Sequence, residues 1–233
     1  MRDFTEILGE NREFNTTSWT LVRSVKDMQA LNDLISIYWK PLYFFVRKRG
    51  YDNETGKDIV QEFLATLLER DALSKADPER GRFRTFLLTA LVNFIKDWSK
   101  GESRQKRGGG RNILSLDFAA DESEYRIEAK SAETPEAVLH RTWARSLWKH
   151  ALSQLEGDAT HLEAFRMYLA DVDYAQIAEK TGLSEGAAKT AVHRLKGRLR
   201  EILVGHLSRT AASEAELGVE IEEFMTLLAS GSK

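Results

Sequence analysis

One stretch, Asp173 to Glu201 (DYAQIAEKTGLSEGAAKTAVHRLKGRLRE), constrains the fold of this chain more than any other. It reads as two helices joined by a tight turn. Tyr174, Ile177, Ala178 and Lys180 belong to the first, with Ile177 and Ala178 on its inner side. Gly182 follows, where a tight turn needs either positive φ or close backbone approach. Leu183 plugs the corner, and Ser184 is a natural N-cap for the next helix. From Ala187 to Arg200 there are five basic residues (Lys189, Arg194, Lys196, Arg198, Arg200) and no acid. Ala188, Val192, Leu195 and Leu199 give that helix an apolar stripe. The small residue Ala178, four before Gly182, suits a close helix crossing. The pattern predicts a helix-turn-helix with a basic second helix, the shape a DNA major groove accepts. The plainer reading is a surface helix that is merely basic; the turn grammar and one-sided charge favour DNA.

The whole chain has 233 residues, enough for one or two domains, and its 42% hydrophobic content supports real cores. With three prolines and no β-hairpin signal the expected class is all-α. Cysteine is absent, which excludes disulfides and thiolate metal sites. The five histidines have no HExxH pairing, and no Walker or Rossmann glycine pattern occurs. Neither a metal nor a cofactor is therefore expected, nor catalysis. No apolar run approaches membrane-spanning length and the first residues lack a signal-peptide core, so a cytoplasmic protein away from membranes is expected.

Net charge is only −2, but it is unevenly spread. Arg80 to Arg111 holds nine basic residues against two acids, a net +7. Asn112 to Ala137 holds two basic residues against seven acids, a net −5. Two basic zones with an acidic bridge suggest two modules that face nucleic acid and a linker between them.

The rest of the chain fits that plan. Residues 1–23 form an N-terminal arm. Residues 24–49 have helical spacing, with Pro41 either kinking the helix or opening a second one. Residues 54–70 form an amphipathic helix with Asp58, Gln61, Glu62 and Glu69 left for its outer face. Residues 71–81 form a loop, and a helix runs from about Arg82 to Lys100. Within it Asn93 is either a satisfied buried polar group or a side chain aimed at a ligand. Residues 101–111 are glycine-rich and basic, and 112–133 acidic, a linker that docks at most as an extended segment. Thr134 and Pro135 start a helix reaching about Leu155. Another spans about Ala159 to Ala170, and with the helix-turn-helix they make a four-helix module. After Gly205 a stripe of Leu217, Ile221, Phe224, Leu227 and Leu228, with Ser213 as N-cap, predicts an acidic amphipathic helix. It needs a partner surface, in this chain or on another protein. The domain plan is thus 1–23, 24–104, 105–133, 134–204 and 205–233.

Three stretches resemble bacterial RNA polymerase sigma factors of the extracytoplasmic-function group. Asp58-Ile59-Val60-Gln61-Glu62-Phe63 resembles the D-(L/I)-V-Q-E core of region two. Phe83-Arg84-Thr85-Phe86-Leu87, with Asn93 and Asp97-Trp98, resembles the FRxWL…RN…DY/DW pattern. Tyr174 to Leu203 resembles region four. The likeness covers about residues 24–204, and the order and separation of the three stretches make it specific.

The resemblance implies an alternative sigma factor that binds core RNA polymerase, reads minus-ten and minus-thirty-five promoter elements and promotes melting. Asp58, Gln61 and Glu62 would dock on the β′ clamp helices. The β flap and promoter DNA are the other implied partners, with an anti-sigma factor or other regulator as a further candidate. The loop from Lys75 to Arg82, with Asn93, would hold a flipped base. Arg80, Arg82, Arg84, Asn93, Trp98 and Lys100 form the expected minus-ten set. Ser184, Glu185, Ala187, Ala188, Lys189, Val192, His193, Arg194 and Lys196 form the expected minus-thirty-five set, with Ala191 among the base-facing positions and Arg198 among the phosphate contacts.

Two departures stand out. Ala191 stands where many relatives have Arg, which predicts altered or weaker recognition there. The region-two core reads QEF rather than QExF. A stand-alone helix-turn-helix regulator is the alternative, but it would have no need of the 54–100 module. A nuclease would need a third metal ligand beside Asp58 and Glu62, and none is evident. An adaptor that has lost promoter binding would not keep the basic helix.

Overall fold

The structure is a computed structural model that describes residues 28–69, 82–100, 124–125, 132–211 and 213–230. Among these residues there are eight helices and no strand. They are α1 (Met28–Lys48), α2 (Asn53–Glu69), α3 (Phe83–Ser99), α4 (Pro135–Ser153), α5 (Ala159–Leu169), α6 (Tyr174–Thr181), α7 (Glu185–Ser208) and α8 (Glu214–Ser230). The all-α expectation holds. The N-terminal arm and the 71–81 loop lie outside the described residues, as does all of 105–133 except 124–125 and 132–133.

Local chemistry explains most boundaries. Pro41 lies inside α1, which runs on as one helix. Thr134 caps α4, its hydroxyl accepting from Ala137 N at 3.2 Å, with Pro135 in the first turn, where no backbone donor is lost. Asp158 caps α5 by accepting from Thr160 N and His161 N. Ser213 caps α8 by accepting from Glu216 N at 3.2 Å.

Helices α1, α2 and α3 form one module and α4 to α7 another, but the two do not stand apart. The most extensive helix pairing is α1 on α4. One continuous core runs from Ile35 to Leu228. The linker contributes at Tyr125, which is buried beside Tyr43 and Phe44 and lies under the Arg47 guanidinium at 4.4 Å. Residues 124 and 125 are helical, so at this point the linker does not dock as an extended segment.

The tail helix finds its partner within the chain. Leu217, Glu220, Phe224 and Leu228 make its buried face, and α8 packs on α4 and α7.

Candidate nucleic-acid interface

The helix-turn-helix is built by short-range chemistry. Asp173 caps α6, accepting from Gln176 N at 2.9 Å. Gly182 ends it at φ 72°. A Cβ there would meet nothing within 4 Å, so the conformation, and not crowding, calls for glycine. Ser184 caps α7, its hydroxyl accepting from Ala187 N at 3.2 Å. Ile177 is fully buried between the helices.

The outer face of α7 carries Glu185, Gly186, Ala187, Lys189, Thr190, His193, Arg194, Gly197 and Arg198, all exposed. Two expected base readers are not there. Ala188 and Val192 are 0% and 1% exposed and belong to the stripe that seats α7 on its module. They cannot touch a base while that packing stands. Thr190 takes a place on the outer face that was not expected of it; its hydroxyl donates to Gly186 O at 2.9 Å. The signal was available, since Thr190 is three residues after Ala187 and four before Arg194.

Ala191 is also inside, at 2% exposure. It lines a small hollow with Gly157, Asp158 and His161 at the start of α5. In this chain the position supports α5 and presents nothing to a groove, so its alanine removes no outward contact.

The cations of α7 differ in freedom. Lys196 Nζ donates to the Tyr168 hydroxyl at 3.3 Å and lies over that ring. Arg198 donates to Glu156 O at 2.8 Å. Lys189 reaches Glu185 at 3.7 Å and lies 5.5 Å from the Tyr174 ring centre. The exposed pairs of Lys189 and Arg198 are weak and yield readily to a phosphate, whereas Lys196 is half-buried against the buried Tyr168.

Helix α3 sorts its residues by face. Phe83, Arg84, Leu87, Leu91 and Ile95 are buried. Asn93, Lys96, Asp97 and Lys100 are exposed, and Trp98 is half-buried edge-on to Tyr51. The core alternative for Asn93 is therefore excluded. Arg84, by contrast, leaves the expected minus-ten set. It is 3% exposed, its Nη2 lies 2.7 Å from Glu220, and its guanidinium sits 3.8 Å from the Trp143 ring centre. Arg82 also turns to α8, pairing with Glu220 and Glu223. Arg80 lies outside the described residues.

Burial acts unequally on the two acids. It pushes the Glu220 carboxyl up, against the pull of Arg84 and Arg82. Glu223 has more water, so the same arginines overcome its smaller burial cost and hold it below its ordinary value.

On α2, Asp58 is exposed and Gln61 and Glu62 are half-buried. Their three- and four-residue spacing puts them on one side of the helix.

The described residues include one group with metal-ligand geometry. Oxygen and nitrogen atoms of Asp33, His150 and His206 lie within 4.8 Å of one another. Protein partners already serve it. Arg209 donates to Asp33 at 3.0 Å. Gln154 donates its amide to His150 Nε2 at 3.1 Å and accepts from His206 Nε2 at 2.8 Å. The group joins α1, α4 and α7 across the seam between the modules.

Two family models match the chain: Sigma-70 region 2 over residues 34–105, and Sigma-70 region 4 over residues 162–199. The first covers α1 to α3 and the second the helix-turn-helix. The chain belongs to the sigma-70 factors, of the extracytoplasmic-function type. No curated protein and no solved structure matches it. As a sigma factor it is a promoter-DNA-binding initiation factor. Among the described residues no helix is long and apolar enough to cross a membrane.

Proposed function

We propose that this sigma factor works in the cytoplasm as a subunit of RNA polymerase. It docks on the β′ clamp helices through Asp58, Gln61 and Glu62 and on the β flap through its region-four module. It reads the minus-thirty-five element with α7 and melts the minus-ten element with α3. The observation that carries this reading is the pair of exposed faces on matched regions: Thr190, His193 and Arg194, with Ala187 beside them, on α7, and Asn93 with Lys100 on α3. On α7 the groups face outward from a helix whose other side is fully committed to packing. Such a helix enters a major groove at its N-terminal turns. On α3 the amide of Asn93 offers both donors and acceptors to the edge of an unstacked base, while Lys100 suits a phosphate.

The test is reconstituted transcription from genomic DNA with core polymerase, followed by mapping of start sites. Start sites that share two upstream elements at fixed spacing are expected. Transcription that does not depend on added chain would refute the reading.

A further inference from the structure

We infer that α8 is an intramolecular latch: it secures the closed form that the packing of α1 on α4 begins, and the chain reads a promoter only when α8 lets go. The inference rests on the reading of the chain as a two-element promoter factor.

Helix α8 touches both sides of the seam. Toward α3 it offers Glu220 and Glu223 to Arg82 and Arg84. Toward α4 it offers Phe224, which meets Trp143 edge-on at 5.9 Å. Trp143 is itself buried and carries the Arg84 guanidinium on its face. The Arg84 side chain also lies 3.1 Å from His140 Nδ1 of α4. Two modules and the tail helix therefore meet at a single arginine.

The closed form is too short for its task. The two elements lie roughly 25 base pairs apart, about 85 Å of duplex at 3.4 Å rise. A compact body of this many residues is about 40 Å across. The modules have to part for both elements to be read at once. The chain between them is long enough once Tyr125 leaves its place beside Tyr43 and Phe44: 31 residues separate Lys100 from Ala132, and extended they reach about 100 Å.

The chemistry of the latch favours release as a unit. Removing one partner of a buried ion pair strands a charge in the interior. If α8 leaves whole, Glu220, Glu223, Arg82 and Arg84 all regain water together. Because the Arg84–Glu220 pair is buried, salt screens it little. Binding to a larger surface is then the natural trigger. A closed form populated nine times in ten lowers apparent affinity for that surface about tenfold.

The experiment uses the full chain, which has no native cysteine. Arg49→Cys and Glu179→Cys, both exposed positions, one in each module, take a donor and acceptor dye. Energy transfer is measured alone and with core RNA polymerase, in this chain, in Glu220→Gln/Glu223→Gln, and in a chain ending at Ala211. High transfer is expected for the free full-length chain. Low transfer is expected for it when bound to core, and transfer below the full-length value for both variants when free. Both variants should bind core about tenfold more tightly. Circular dichroism checks their helix content, and the glutamine pair decides if the truncated chain fails to fold. Unchanged transfer in the free glutamine variant overturns the latch, as does full-length chain that binds core while keeping high transfer. If no form binds core, the promoter-factor reading fails, while transfer in the free chains still reports on the latch.

Discussion

Asn93 and Arg84 lie on the same helix, and both stand in the expected minus-ten set, but the structure treats them oppositely. By residue type the arginine reads as a DNA contact, and the asparagine among apolar residues reads as either a satisfied core group or a side chain aimed at a ligand. The register decides both. Arg84 falls on the row of Leu87, Leu91 and Ile95, and Asn93 falls off it. The same test finds Ala188 and Val192 on the row of Leu195 and Leu199. That row was legible, and periodicity outranks residue type when the two disagree. Asn93→Ala should therefore slow open-complex formation, read by permanganate footprinting, while leaving core binding within about twofold. Equal loss of both would remove Asn93 from base recognition. Glu62→Lys should act the other way and weaken association with core polymerase in co-purification; unchanged association would dismiss α2 as the docking face.

The helix-turn-helix was legible almost throughout because its grammar is local. Asp173, Gly182 and Ser184 each act on groups within four residues. Two predictions belong to this element. Ser184→Ala removes one capping bond and should cost about 1 kcal/mol of module stability. Gly182→Ala forces a side chain into left-handed backbone and should cost about 1–2 kcal/mol. Thermal melts followed by circular dichroism measure both, and band-shift assays should show weaker DNA binding for both. Stability unchanged in Gly182→Ala would mean that the turn relaxes at no cost. The destination of α8 was not legible. Its apolar stripe announced a partner surface, but the pairs that fix its place join residues 136 and 139 apart in sequence. No local pattern encodes such a pairing.

At the scale of the molecule, the seam makes stability sensitive to acid. Burial, then Arg209 and His150, lower His206 to about 4, so it is neutral in the folded chain. Asp33 of α1 pulls the other way. Unfolded, the same ring takes a proton near 6.5. The unfolded chain therefore binds more protons between these values, and stability falls as pH drops from about 6.5 to 4. The loss from His206 is on the order of 3 kcal/mol at the low end. His140 adds to it in the same direction, lowered by burial and then by Arg84. Denaturation midpoints at pH 7 and pH 4.5 measure the effect, and His206→Gln should flatten it. A midpoint that does not fall with acid in the full chain would contradict a neutral His206.

The packing of α1 on α4 also has a consequence for how the protein is made. A ribosome releases α1 long before its main cover exists, because α4, which packs on it most extensively, begins only at Pro135. At about 5–20 residues per second, some five seconds or more separate the synthesis of α1 from that of α4. Through that interval the growing chain shows the side of α1 that α4 buries, with Tyr38, the partner of Trp143, on it. Contacts closed so late and over such separations also slow folding. A fragment cut at the end of the region-two match would keep that exposed face for good. It should aggregate or need a chaperone, however well its own three helices form.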